Sequence, residues 1–510
     1  MSIARCYSAH LIGLDVEPVT VEVDISNGLN SMSIVGLGDR SVEEAKDRIS
    51  AAIKNSGCVS PKQKNQKVVI SLAPADVRKE GPAFDLAMAL AYLKAAGDIR
   101  FDSERTLFLG ELSLEGAVRR ISGVLPMLCQ ARRLGFSRVF LPAGNAAEAS
   151  LADGLDIYPI SSLTETAGLL EGRMHMAPLE RLDYAETPDM SDPDIPDLSS
   201  VRGNEGAKRC LEIAAAGAHN LLLFGPPGTG KTMLAQSFRS ILPPLTREEA
   251  VEVTGIHSAA RTLGDRLMRS PPFRAPHHTA SYPAVVGGGA TPRPGEITLA
   301  HRGVLFLDEF PEFDKSVIEA LRQPLEERSI TIARAKGTMT FPAQCILIAS
   351  MNPCPCGRDR QSGCTCKEHI IRMYRRRISG PILDRIDIWV NANKVEYEKL
   401  AAAAPTGELS AVVRSRIIRA RTIQRERFRS VGSTKRFNSE MDARDIERVC
   451  GISEPARREA ARIAEQLKMS GRGFHRTLKV ARTIADLGGM ASIGPEHVLE
   501  AVQYRQKMPE

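Results

Sequence analysis

Gly225, Gly230, Lys231 and Thr232 fall in the spacing Gly-x-x-x-x-Gly-Lys-Thr, within Gly225-Pro226-Pro227-Gly228-Thr229-Gly230-Lys231-Thr232. Residues of these types at this spacing suit a polyphosphate. The glycines let successive N–H groups face one anion, and the positive end of a following helix lies against it. Lys231 would reach the β- and γ-phosphates, and the Thr232 hydroxyl would ligate Mg²⁺. A glycine-rich turn without a ligand is the weaker reading, because strand, loop, lysine, hydroxyl and helix stand in order. Asp308 and Glu309 close a second apolar run, Gly303-Val304-Leu305-Phe306-Leu307. At the carboxyl end of a parallel strand they would lie beside the phosphate loop. Asp308 would then hold Mg²⁺ through water, and Glu309 would orient and deprotonate the attacking water.

Asn352 follows the apolar run Cys345-Ile346-Leu347-Ile348-Ala349-Ser350 and could touch the γ-phosphate or the lytic water. Arg385, in Leu383-Asp384-Arg385-Ile386-Asp387, looks like the arginine finger of AAA+ ATPases, which meets the charge developing on a neighbouring subunit's nucleotide. Arg377 is a second choice, and a salt bridge from Arg385 to Asp384 or Asp387 is the bland alternative. Cys354-Pro355-Cys356-Gly357 and Cys364-Thr365-Cys366 could turn four thiolates onto one tetrahedral zinc ion. Free thiols and a redox pair are the alternatives. His277-His278 reads as structural or surface polar residues ahead of metal ligands.

These groups need elements to hold them. Leu221-Leu222-Leu223-Phe224 reads as the strand entering the phosphate loop, with a helix from Lys231. Residues 1–172 form a mixed α/β domain, with strands at 19–25, 67–72 and 138–142. Helices are expected at 41–53, where Ser41 would cap with a glutamate three residues on, and at 85–96 and 122–134. Residues 173–197 are an acidic, proline-rich linker that would let the first domain move. A second α/β core, holding the phosphate loop, is expected over 198–393 and a helical lid over 394–510. In the lid, Arg414, Arg416, Arg419, Arg421, Arg425, Arg427 and Arg429 spread around one helix, reading as a solvated face ahead of a DNA-binding one.

With 510 residues the chain has length for several cores. Its 43% hydrophobic and 25% charged residues are ordinary for a globular protein. No apolar run approaches the ~20 residues that cross a bilayer, so no membrane partner is expected. Nothing at the N-terminus resembles a cleaved leader, and ten cysteines in so long a chain suggest a reducing cytoplasm. The net charge of +7 permits a polyanionic partner without demanding one.

Two resemblances add to this. Lys79-Glu80-Gly81-Pro82-Ala83, Gly110-Glu111-Leu112, Ile121-Ser122-Gly123-Val124-Leu125 and Phe140-Leu141-Pro142 resemble the proteolytic domain of the Lon family. That family has its nucleophilic serine where Ala83 stands and its lysine where Leu125 stands. The resemblance implies the fold without the protease dyad. The rest resembles the AAA+ branch of magnesium-chelatase ATPase subunits and MCM helicases. The YifB/ComM family matches best, on Ala214-Ala-Ala-Gly-Ala-His-Asn220, Phe273-Arg-Ala-Pro-His-His-Thr-Ala-Ser281, Pro294-Gly-Glu-Ile-Thr-Leu-Ala-His301 and Leu478-Lys-Val-Ala-Arg-Thr-Ile-Ala-Asp-Leu487. It implies a homo-hexameric ATPase ring that moves along single-stranded or branched DNA, in ComM by branch migration. Asn352 becomes the sensor 1 residue, Arg385 the arginine finger, and Arg472 sensor 2 over the γ-phosphate, with Arg476 as alternative. Two insertions, 254–296 and the hairpin 329–341, would project into the ring channel. Arg334 and Lys336 on the hairpin would meet DNA phosphates, although a solvent-facing turn fits the same pair. A chelatase-type ATPase that remodels a protein partner is the rival function. A protease and a non-enzymatic binding module are weaker ones.

Overall fold

The computed structural model describes residues 3–184, 195–264, 267–289, 292–334, 337–358, 363–393 and 407–505. The chain divides into two compact units: Met1–Ala185 with Thr246–Met268, and Glu186–Leu245 with Arg269–Glu510.

The first unit is built on a seven-stranded sheet. Its strands lie in the order Ser31–Val35, Gln66–Ala73, Asp15–Asn27, Ala4–Ile12, Thr106–Phe108, Arg138–Pro142, Asp156–Ile160. The two longest strands pair antiparallel, and the edge from Thr106 onward is parallel. Helix Asp85–Ala96 lies where its apolar pattern predicts and is buried from Asp85 to Leu93. The helix expected from Ser41 runs over Arg40–Asn55, and its cap is Asp39, whose carboxylate accepts from Val42 N at 2.9 Å. Aspartate is as good a cap as serine, so the helix starts earlier than the serine signal suggests. Ala83 is half-buried and Leu125 fully buried, so no side-chain nucleophile or proton carrier stands at either position of the Lon-type dyad.

Thr246–Met268 belongs to this first unit, although it follows the phosphate-loop helix in sequence. Helix Arg247–Ala259 opens with a capping box between Thr246 and Glu249. Arg247 forms a two-pronged bridge to Asp153 (2.6 and 2.9 Å), Ser258 Oγ accepts from Gly123 N at 2.9 Å, and Val251 and Leu267 pack on the Leu125–Leu128 core. The expected insertion at 254–296 is therefore not one projecting element. Its first part completes the first unit's core.

The second unit holds a five-stranded, all-parallel sheet in the order Phe273–Arg274, Val304–Leu307, Ile346–Met351, Leu221–Phe224, Ile388–Asn391. Leu221–Leu223, Val304–Leu307 and Ile346–Met351 are buried throughout, as strands covered on both faces must be. Ser329–Arg334 and Gly337–Pro342 form the expected hairpin, with Arg334 opposite Gly337. Lys336 lies outside the described residues, as does 185–194 of the acidic linker.

Helices Ser410–Ser430, Ala443–Val449, Glu454–Gln466, Gly471–Leu487 and Pro495–Gln503 make the lid, which shares one continuous apolar core with the sheet. Arg419 and Arg429 are exposed, as a solvated face requires, but four of the seven lid-helix arginines are engaged within the protein. Arg414 donates to Ser240 O (3.0 Å), Arg416 to Glu212 (2.6 Å) and Arg421 twice to Ala215 O, while Arg427 pairs with Asp486. Arg414, Arg416 and Arg421 bind the lid helix to the helices that flank the phosphate loop, and Arg427 binds it to the lid helix Gly471–Leu487. Among the described residues no helix is long and apolar enough to cross a membrane.

Candidate nucleotide site and cysteine cluster

The phosphate loop leaves strand Leu221–Phe224 and enters helix Lys231–Ile241 at Gly230, whose φ of 82° suits glycine. Gly225 is needed for a different reason: a Cβ there would run into the Ala392 carbonyl oxygen. Lys231 is 8% exposed and begins the helix. Its ammonium donates to Gly225 O (2.7 Å), Pro226 O (2.9 Å) and Asn352 Oδ1 (3.1 Å). Burial pulls its pKa down, and the charges of Asp308 and Glu309 oppose that.

Thr232 Oγ1 donates to Asp308 Oδ2 at 3.0 Å. Hydroxyl and carboxylate are hard oxygen donors on one side of the loop, the donor set that Mg²⁺ accepts. Ser350 Oγ donates to the other Asp308 oxygen and itself accepts from Glu309 N at 3.1 Å. Glu309 has a left-handed backbone (φ 50°), a conformation costing about 1–3 kcal/mol in a non-glycine residue. Bonds from its N–H to Ser350 and Asp308 hold it there. Its carboxylate is half exposed and reaches His278 Nδ1 at 3.5 Å.

Lys231, Thr232, Asp308, Glu309 and Asn352 are thus assembled from three adjacent parallel strands. Ser350 and His278 join them. Ser350 carried no motif signal, and the paired histidines, read as structural or surface polar residues, gave no hint of the contact between His278 and Glu309.

Three arginines gather elsewhere. Arg385 is 7% exposed, pairs with Glu326 and donates to Pro381 O, rather than to Asp384 or Asp387. Glu326 is held below the usual carboxylate range first by its hydrogen bond from Arg385, and also by the charges of Arg385, Arg472 and Arg476. Arg476 bridges to Asp387 at 2.7 Å, and Asp387 also meets buried His219 at 3.2 Å. Arg476 therefore lies with Arg385 beside Glu326, the charge of Arg472 also acts on that carboxylate, and the hydrogen-bond partners of Lys231 include neither Arg472 nor Arg476. Glu326 and Arg476 line a cavity of about 610 Å³ together with Arg302, Arg328, Lys435 and Lys479. Arg377 is tied to Glu312 and Pro311 O.

The four cysteines converge. Gly357 N donates to Cys354 O at 2.9 Å, and this turn folds Cys354 Sγ to 2.9 Å from Cys356 Sγ. Cys364 Sγ lies 3.3 Å from Cys354 and 3.6 Å from Cys356, and all four sulfurs are within 4.8 Å of one another. The hydrogen bond from Cys354 draws the exposed Cys356 thiol down to about 7.

Three family models match the chain. "Magnesium chelatase, subunit ChlI" covers residues 197–400, "Subunit ChlI of Mg-chelatase" 21–145, and "Magnesium chelatase, subunit ChlI C-terminal" 407–505. The uncharacterized protein YifB of Salmonella typhimurium is 41% identical, over 99% of this chain and 97% of its own length. Competence protein ComM of Haemophilus influenzae is 39% identical, over 99% and 98%. Lon protease of Mycolicibacterium smegmatis is 30% identical over 30% of the chain and 20% of its own length. A parallel sheet with this loop, these carboxylates and a helical lid defines an AAA+ ATPase of the magnesium chelatase-like kind. The chain belongs to the YifB/ComM family.

Proposed function

We propose that this chain is one subunit of a hexameric, ATP-driven motor acting on DNA in the cytoplasm, with branch migration during uptake and recombination of DNA as its task. Lys231 exchanges its bonds to Gly225 and Pro226 carbonyls for β- and γ-phosphate oxygens. Gly225 to Thr232 cradle the phosphates with backbone N–H groups. Thr232 and Asp308 are the residues that hold Mg²⁺, which when bound neutralises phosphate charge. Glu309 accepts the proton of the attacking water, and Asn352 orients that water or the γ-phosphate. Arg385 acts on a neighbour's nucleotide as the arginine finger, a reading supported by its pairing with Glu326 apart from the partners of Lys231, and Arg472, with Arg476 as the alternative, closes over the γ-phosphate as sensor 2. Arg334 and Lys336 are the proposed DNA contacts. A zinc ion on Cys354, Cys356, Cys364 and Cys366 belongs to the same reading.

The end-to-end likeness to a competence protein carries the DNA half of the proposal. The chelatase descriptions of the matching models favour a second reading, an ATPase that remodels a protein partner. One experiment separates them: ATP turnover with and without single-stranded, duplex and branched DNA. The DNA motor is expected to speed up severalfold on branched or single-stranded DNA, less so as salt rises. A rate indifferent to every DNA would contradict it and leave the remodelling reading.

A further inference from the structure

We infer that the four-cysteine metal site is a clamp on the nucleotide site, holding Asn352 in register with Lys231. The inference rests on the zinc reading above and goes one step further.

Strand Ile346–Met351 passes through Asn352 and Pro353 directly into Cys354, the most buried of the four cysteines. Asn352 accepts from Lys231 through its side chain, and the Tyr374 hydroxyl meets its backbone. On the other side of Cys354, the turn ends at Gly357 (φ 82°). A Cβ built there would stand 3.2 Å from Pro227 Cγ and 3.3 Å from its Cδ. The cysteine turn therefore abuts the phosphate loop at Pro227 while its entrance carries the amide that bonds the loop's lysine. Both contacts belong to one short segment, whose path is set by where Cys354 and Cys356 must point.

Four sulfurs within 4.8 Å suit a tetrahedral ion, since Zn–S bonds of about 2.3 Å place thiolates roughly 3.8 Å apart. Thiols alone would repel one another once ionised; an ion fixes all four. Cys364 and Cys366 reach the segment across the sequence, so through the ion they anchor it from outside. Ligand-orienting groups of this kind typically change activity about 10- to 100-fold when lost. Because Asn352 acts on turnover, the expected loss is in kcat, with ATP affinity little altered.

The test uses the full chain. Zinc is measured by elemental analysis, and kcat and KM for ATP are measured for wild type, Cys366→Ser, Cys366→His, Asn352→Ala and the Cys366→Ser/Asn352→Ala double variant. Cys366 is chosen as the ligand most distant in sequence from Asn352. About one zinc per chain is expected in wild type, its loss in Cys366→Ser with kcat down about tenfold or more, and retention of both in Cys366→His. The double variant should be no slower than Asn352→Ala, since both act through one amide. A zinc-selective chelator on wild type, followed by zinc re-addition, gives the same readout if Cys366→Ser does not fold. Zinc that leaves without changing kcat overturns the clamp and leaves the zinc site standing. Wild-type protein free of zinc overturns both, and leaves the phosphate-loop reading untouched.

Discussion

Burial pushes the Asp387 carboxyl upward, yet Arg476, His219 and Lys479 together hold it well below the usual carboxylate range. Such a group contributes stability that is complete above its unfolded pKa of about 3.9 and lost as pH falls through the folded value. Asp387→Asn should therefore lower the thermal midpoint at pH 7, and stability should fall less steeply below about pH 4 than in wild type. Equal acid slopes would contradict this assignment. At this scale the sequence spoke clearly wherever spacing itself makes the chemistry: Lys231, Thr232, Asp308 and Glu309 meet as their motifs imply. It was silent on Glu326, Ser350 and the His278–Glu309 contact, because single polar residues on separate strands and loops carry no periodic or spacing signal.

Elements were legible where apolar pattern decides and illegible where address decides. The buried strands Val304–Leu307 and Ile346–Met351 announce themselves as continuous apolar runs. Helix Arg247–Ala259 is not among the expected elements, and nothing in its residues says that its apolar side belongs with Leu125 and Leu128 of the first unit. The lid arginines show the same limit: charge on a helix looks like solvent or DNA until its acceptors are seen. Arg421 gives two hydrogen bonds to Ala215 O and lies 4.8 Å over the Phe437 ring. Arg421→Ala should cost about 2 kcal/mol of stability in chemical denaturation while leaving stimulation by DNA unchanged. Full stability with lost stimulation would restore the DNA-face reading.

In the whole molecule the acidic linker is not the sole covalent tie between the two units. The chain crosses again on either side of Thr246–Met268, immediately after the phosphate-loop helix. This was hidden in the sequence, where a linker of prolines and acids looks like the natural boundary. The second unit brings Asn352 to Lys231 and Thr232 to Asp308, and pairs Arg385 with Glu326, on which the charges of Arg472 and Arg476 also act. On the proposed function, a second copy supplies what the first withholds. The direct measurement is ATP turnover by Glu309→Gln and Arg385→Ala, each alone and then mixed. Both should bind ATP and barely hydrolyse it alone, and the mixture should regain part of the wild-type rate. A mixture as inactive as its parents would contradict the shared site.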